Sequence, residues 1–167
     1  MSLNCFRRRN GRQPEAALIN TMISIQHTPI LVTGAAGFIG HAVAHRLLAR
    51  GERVIGVDIV NDYYDPALKE ARLATFAGIN SFAFERLDIA DADKMKALVC
   101  DNNIVRVVHL AAQAGVRYSL ENPFAYERSN LAGHLSVMEA CRHAEGFEHL
   151  VYASSSSVYG DKPISGE

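Results

Sequence analysis

The sequence contains no tryptophan, only three cysteines and five prolines, and no surplus of either charge: 17 lysines and arginines stand against 18 aspartates and glutamates, a formal net charge of −1. Each scarcity excludes something. Without a basic surplus there is no electrostatic footprint for nucleic acid or for an anionic membrane surface. Cys5, Cys100 and Cys141 are too far apart for metal-ligand or redox-pair spacing, which points to reduced thiols in a cytoplasmic setting, with Cys141 filling core on a helix. No apolar run reaches the roughly twenty residues that span a bilayer. What remains is an ordinary globular composition, 49% apolar and 21% charged over 167 residues, enough for one domain with one core.

Residues 1–28 differ from the rest. Arg7, Arg8, Arg9 and Arg12 lie in a polar, aperiodic stretch, and Gln13-Pro14-Glu15 interrupts the apolar run that a secretory signal needs. The expectation is a disordered extension, or one misassigned upstream of a true start at Met22, with a targeting segment as the competing reading. Residues 29–167 form the folded part.

That part opens on the most informative stretch of the chain. Ile30-Leu31-Val32-Thr33 is an apolar strand run leading into Gly34-x-x-Gly37-x-x-Gly40, and a helix-patterned segment follows through Phe38 and Ile39. Gly34 allows the tight turn off the strand, Gly37 admits backbone close to a pyrophosphate, Gly40 lets the helix sit close to the sheet, and the helix N-terminus supplies the positive dipole end that favours the anion. Val54-Ile55-Gly56-Val57 then ends in Asp58, eighteen positions beyond Gly40, where a ribose-binding carboxylate belongs. A carboxylate accepts from a free 2′-hydroxyl and repels a 2′-phosphate. Neither His41 nor Ile59 supplies the arginine that a phosphate would want, so the expected cofactor is NAD rather than NADP. A turn-forming role for Asp58 is the plainer alternative.

Strand-like and helix-like patterns alternate from Thr28 onward, with strands expected near 30–33, 54–58, 82–87, 105–110 and 149–153. Helices are expected from Phe38 to Arg50 before Gly51, from Pro66, from a cap at Asp91-Ala92-Asp93, and from Pro123 to about Glu145. The fold class is α/β, a doubly wound parallel sheet of the Rossmann type with the cofactor at the carboxyl edge where strand order reverses. Asp88, beside Ile89 after the third strand, would meet the adenine amino group, or else cap a helix. Leu110-Ala111-Ala112 after the fourth strand would let backbone lie along the nicotinamide half, although packing alone also selects small residues.

Ser154-Ser155-Ser156-Ser157-Val158-Tyr159-Gly160 follows the fifth strand, where hydroxyls would face the nicotinamide and a hydroxylated substrate. Together with Gly34-x-x-Gly-x-x-Gly, the Asp58 strand end and His109-Leu110-Ala111-Ala112, this stretch resembles the extended short-chain dehydrogenase/reductases that modify nucleotide sugars. Asn61-Asp62-Tyr63-Tyr64-Asp65 with Leu68-Lys69, and Ala112-Gln113-Ala114-Gly115-Val116-Arg117-Tyr118-Ser119, are similar to UDP-glucuronate 4-epimerases. The resemblance covers about residues 29–160.

It implies oxidation of a sugar 4-hydroxyl by tightly held NAD, turnover of the 4-keto sugar and return of the hydride to the opposite face, with a UDP-uronate as substrate. It further implies a Tyr-x-x-x-Lys pair as base, a lysine lowering the tyrosine pKa, and a hydroxyl bonded to the reacting oxygen. Counting back from Val158-Tyr159-Gly160, that hydroxyl is Ser155, flanked by Ser154 on the cofactor side and Ser156 on the substrate side; a hydroxyl-rich turn is the alternative. Gln113 and Arg117 would meet the sugar carboxylate or phosphate, unless Arg117 is an ordinary surface arginine. Asn130 matches a family asparagine that supports the site through backbone contacts, or is a polar helix-face residue. The chain stops at Glu167 without a Tyr-x-x-x-Lys, and Tyr159 and Lys162 are three apart rather than four. The expectation is the N-terminal part of an epimerase, inactive alone. Full-length relatives form homodimers through two helices per subunit, one being that after Pro123, so this chain should pair poorly and expose apolar surface.

Two rivals remain. A nucleotide-sugar 4,6-dehydratase would carry carboxylates where Ser156 and Ser157 stand, and a non-catalytic NAD-binding module would need no base at all. His41 and His45, one helical turn apart, lack a third ligand at metal spacing, so no metal is expected.

Overall fold

The computed structural model describes residues 28–160. The expected N-terminal extension, Thr28 apart, and Lys162 lie outside the described residues. The chain runs β1 (Ile30–Thr33), α1 (Phe38–Ala49), β2 (Val54–Asp58), α2 (Pro66–Ala74), β3 (Phe82–Arg86), α3 (Ala92–Asp101), β4 (Arg106–His109), α4 (Tyr118–Glu121), α5 (Pro123–Tyr126), a π-helical stretch Glu127–Ala132, α6 (Gly133–His143) and β5 (His149–Tyr152), then a 3-10 turn Ser156–Tyr159. All five expected strands form. They lie parallel in the order β3-β2-β1-β4-β5. This is the doubly wound arrangement in which order reverses between β1 and β4.

Local chemistry accounts for most boundaries. Asp65 caps α2 by accepting from the Ala67 N–H at 2.9 Å, with Pro66 in the first turn where its missing N–H costs nothing. Asp91 caps α3 through the Lys94 N–H at 3.2 Å. Gly51, at φ +82°, follows the end of α1. The helix expected unbroken from Pro123 to Glu145 is instead three segments, widened to π geometry over six residues and ended at His143, where Ala144 turns extended with ψ 133°. The turns at Tyr118–Glu121 and Ser156–Tyr159 had no periodic signal because each is a single turn.

Alternation along β1 sends neighbouring side chains to opposite faces. Ile30 and Val32 join Ala44, Phe76 and the inner faces of α1 and α2. Leu31 joins Met95, Val99, Val137 and Ala140 of α3 and α6. Both faces of the sheet are thus covered, as parallel sheets require. β3 and β5 are outermost among the described strands and largely exposed. An apolar surface is also exposed along Leu120, Phe124, Leu131 and Leu135.

The switch point is fixed by one hydroxyl. Thr33, fully buried at the end of β1, places Oγ1 3.1 Å from the N–H groups of both Leu110 and Ala111, and 2.7 Å from His109 Nδ1. A hydroxyl offers two acceptor sites and one proton. With both sites taken by N–H donors, the proton goes to His109 Nδ1, which makes the imidazole the Nε2–H tautomer. Burial first, and His134 stacked 5.1 Å away second, lower the His109 pKa from 6.5 to about 4. His109 is therefore neutral at pH 7, as the hydrogen bond requires.

Because the folded pKa lies below the unfolded value, the unfolded chain takes up a proton that the folded chain refuses between pH 6.5 and 4. Stability falls as pH drops through that window, by about 3 kcal/mol in full and about 2 kcal/mol by pH 5. Denaturant titrations of the wild type and His109→Gln at pH 7 and pH 5 should show the larger loss in the wild type; equal losses would contradict the assignment. Separately, the buried Ser136 hydroxyl on α6 finds no partner among the described residues. Ser136→Ala should hold or raise stability by up to about 1 kcal/mol in the same measurement.

Candidate functional site

A crevice of about 260 Å³ opens at the carboxyl ends of β1, β2 and β4, where the strand order reverses. Of the residues singled out in the sequence, Gly34, Gly37, Asp58, Asp88, Ile89, Leu110, Ala111, Ala112 and Gln113 line it. They come from four separate strand ends, so only the sheet order assembles them.

The glycine turn is shaped by contact with the loop after β4. Gly34 sits at φ +72°, and a Cβ there would stand 2.9 Å from the Ala111 nitrogen. A Cβ on Gly40 would strike the Gly34 carbonyl, with the carbonyl carbon 2.6 Å away. Gly40 therefore acts from behind the crevice wall, by letting α1 sit against the turn. Gly37 is the N-cap of α1, with no side-chain cap and no acidic residue in the first turn. The leading N–H groups of α1 and its positive dipole end are left for an anion.

Asp58 is buried at the end of β2, and its two oxygens tie the loops of β1 and β2 together. Oδ2 accepts from the Ala36 N–H at 3.1 Å and Oδ1 from the Val60 N–H at 2.8 Å. Each oxygen keeps acceptor capacity toward the crevice. Val60 is held at φ +54°, a costly conformation for a β-branched residue that persists here under the Asp58 hydrogen bond.

Several lining residues had been given no role from the sequence. Lys69 on α2 is 7% exposed, and its Nζ donates to the Asn61 side chain at 2.6 Å and to the Asn61 carbonyl at 3.2 Å. It clamps the loop between β2 and α2 and presents an ammonium to the crevice wall. The inward face was legible, since Lys69 stands one turn before Leu73 on α2 and Leu73 packs inward, but the contact with Asn61 was not. Arg128 pairs with Asp88 at 2.7 Å. Tyr63 and Tyr64 also line the crevice, and the Tyr63 ring lies 4.6 Å from Tyr118. The Tyr63 hydroxyl covers Gly115, which has φ +93° and no room for a Cβ. Residues 61–65 and 113–119, far apart in sequence, are thereby in contact across the mouth of the crevice.

Asn130 stands outside the crevice wall but holds it. Its Oδ1 accepts from the Gln113 N–H at 2.8 Å and its Nδ2 donates to the Gln113 carbonyl at 3.0 Å, a two-bond grip on the loop after β4. The wider π turn carries Arg128 and Ser129 at this wall and Asn130 behind it, and such turns are common at functional sites.

Other singled-out residues are not in the wall. Phe38 and Ile39 are exposed in the first turn of α1, with the Arg72 guanidinium 5.9 Å over the Phe38 ring. Arg117 is exposed at the start of α4. Ser154, Ser155 and Ser156 are exposed beyond β5, where the Ser155 hydroxyl donates to Ser157 Oγ at 3.1 Å and accepts from the Ser157 N–H at 3.2 Å. His41 and His45 both direct Nε2 at the Thr75 hydroxyl, at 2.9 and 2.8 Å. Among the described residues no group of three or more potential metal ligands occurs, and no helix is long and apolar enough to cross a membrane.

Residues 30–167 match the NAD dependent epimerase/dehydratase family. The chain is 50% identical over 131 residues to UDP-glucuronate 4-epimerase 3 of Arabidopsis thaliana, covering 78% of this chain and 30% of that protein. It is 48% identical over 139 residues to Protein CapI of Staphylococcus aureus, covering 81% and 41%. A crystal structure of the UDP-glucuronic acid 4-epimerase of Bacillus cereus, in complex with UDP-glucuronic acid and NAD, matches with a TM-score of 0.71 at 36% identity, over 81% of this chain and 42% of that one. The chain spans less than half the length of each of these relatives. On its sheet order, its glycine turn and this match over most of its length, the chain belongs to the NAD dependent epimerase/dehydratase family.

Proposed function

We propose that this chain is the N-terminal, cofactor-holding part of a nucleotide-sugar 4-epimerase acting on a UDP-uronate, with NAD across the switch point. The observation that carries the reading is the crevice wall, in which Gly34, Gly37 and Asp58 meet Leu110, Ala111 and Ala112 at the carboxyl edge. A Cβ on Gly34 or Gly40 would close that cradle. The free N–H groups at the start of α1 hold the pyrophosphate. Asp58 accepts from the adenosine ribose, Lys69 steadies the adjoining loop, and the Ala111-Ala112 backbone lies along the nicotinamide half. Bound NAD supplies a hydride acceptor that later returns the hydride, so epimerisation needs no external oxidant.

Gln113 and Arg117 lie on the substrate side of the loop after β4, and the Ser155 hydroxyl at the end of β5 turns from Ser157 to the sugar oxygen. Ser154 flanks the cofactor and Ser156 the substrate. No tyrosine in the sequence stands four residues before a lysine, so the chain alone has no base of the family's kind. It binds the dinucleotide without turning over the sugar. The exposed apolar surface along Phe124, Leu131 and Leu135 supports helix pairing in a homodimeric full-length enzyme. The wide spacing of Cys5, Cys100 and Cys141 in the sequence supports a cytoplasmic setting.

Calorimetric titration should detect NAD binding and a preference for NAD over NADP. Asp58→Ala should weaken NAD by about tenfold or more and narrow that preference, since charge-assisted hydrogen bonds to a carboxylate are worth about 1.5–3 kcal/mol. Equal binding of NADP by the wild type would overturn the choice of cofactor. Incubation of the chain with NAD and UDP-glucuronate should yield no UDP-galacturonate; product formation would show that a base is present which the sequence does not reveal.

A further inference from the structure

Asp88 lies just past β3, beyond β2 as counted outward from the switch point. If Asp58 at the end of β2 meets the adenosine ribose, the base extends outward toward β3. Asp88, Leu87 and Ile89 line the crevice on that side. The Asp88 carboxylate is held from two directions. Oδ1 accepts from the Ala90 N–H at 2.9 Å, and Oδ2 accepts from Arg128 Nε at 2.7 Å.

Arg128 reaches it from the π-helical stretch, forty residues away in sequence, and itself lines the crevice beside Ser129. As a device for stability this pair counts for little. The Arg128 side chain is 64% exposed, and solvent screens such a contact to a fraction of a kcal/mol. Its effect on direction is larger. A carboxylate can rotate about χ2, and two donors from opposite sides leave it one orientation, with remaining acceptor capacity toward the crevice. An acceptor fixed there selects a base that donates from its six-position, as the amino group of adenine does. It repels the keto oxygen that hypoxanthine carries at the same place.

We propose that Arg128 is a positioning residue for base recognition, which aims the Asp88 carboxylate so that the crevice takes an adenine dinucleotide in preference to a 6-oxopurine one. The inference rests on the reading of the crevice as an NAD site. It adds a specificity element supplied by the helix after β4 rather than by the β3 edge alone.

The test is calorimetric titration of the chain with NAD and with nicotinamide hypoxanthine dinucleotide, for the wild type, Arg128→Gln and Arg128→Lys. The wild type should favour NAD by about tenfold or more, because a site built around one hydrogen bond rejects the analogue that inverts it. Arg128→Gln should compress that ratio to about threefold or less, chiefly by weakening NAD, while its thermal melt stays that of the wild type. Arg128→Lys, which keeps the charge without the planar fork, should recover part of the ratio. A variant that weakens both dinucleotides by the same factor, or leaves the ratio unchanged, overturns the role of Arg128 while NAD binding stands. A wild type that binds both equally overturns base selection. Binding of neither overturns the cofactor reading itself.

Discussion

The structure depends on the Thr33 hydroxyl. β1 and β4 are adjacent in the sheet, but their chains leave in opposite directions beyond it, and the cleft opens there. Buried backbone donors at such a divergence must be satisfied. The Thr33 hydroxyl accepts from Ala111 and shares the Leu110 N–H with its own backbone carbonyl, 3.3 Å away, and it sends its single proton to His109. The loop carrying Leu110 and Ala111 is thus held against the Gly34 turn, so closely that Gly34 has no space for a side chain. The neutrality of His109 follows from the same burial.

Two carboxylates extend this logic outward. Asp58 and Asp88 stand at successive strand edges, and each is tied to local backbone N–H groups while keeping capacity toward the crevice. Asp58 draws together the glycine turn and the strained Val60. Asp88 is tied through Arg128 to the π-helical stretch that follows β4. The loop after β4 is gripped in turn by Asn130 and covered by Tyr63. The walls of the crevice are therefore braced against one another before any ligand enters, which lowers the ordering cost of binding.

Strand and helix identities were legible because they rest on short-range physics. Apolar runs marked the five strands. Pro66, Asp91 and Gly51 marked helix ends, since a locked φ, a capping oxygen and a left-handed glycine act within a turn. The spacing of Gly34, Gly37 and Gly40 and the strand-end position of Asp58 carried the cofactor expectation for the same reason. The π widening at 127–132 was not legible, because a one-residue change in hydrogen-bond register leaves the apolar pattern nearly unaltered. Nor was the Tyr63–Gly115 contact, although both blocks had been singled out separately.

By itself the sequence determined which segments become strands and helices, which turns need glycine, and which carboxylates stand at strand ends, since each is settled by neighbours within a few residues. Tertiary structure alone decided the tautomer of His109, the burial of Lys69 against Asn61, the pairing of Arg128 with Asp88 and the grip of Asn130 on Gln113. Those contacts join residues from 8 to 76 positions apart, and they exist only because parallel strands in the order 3-2-1-4-5 bring the loop ends to one edge.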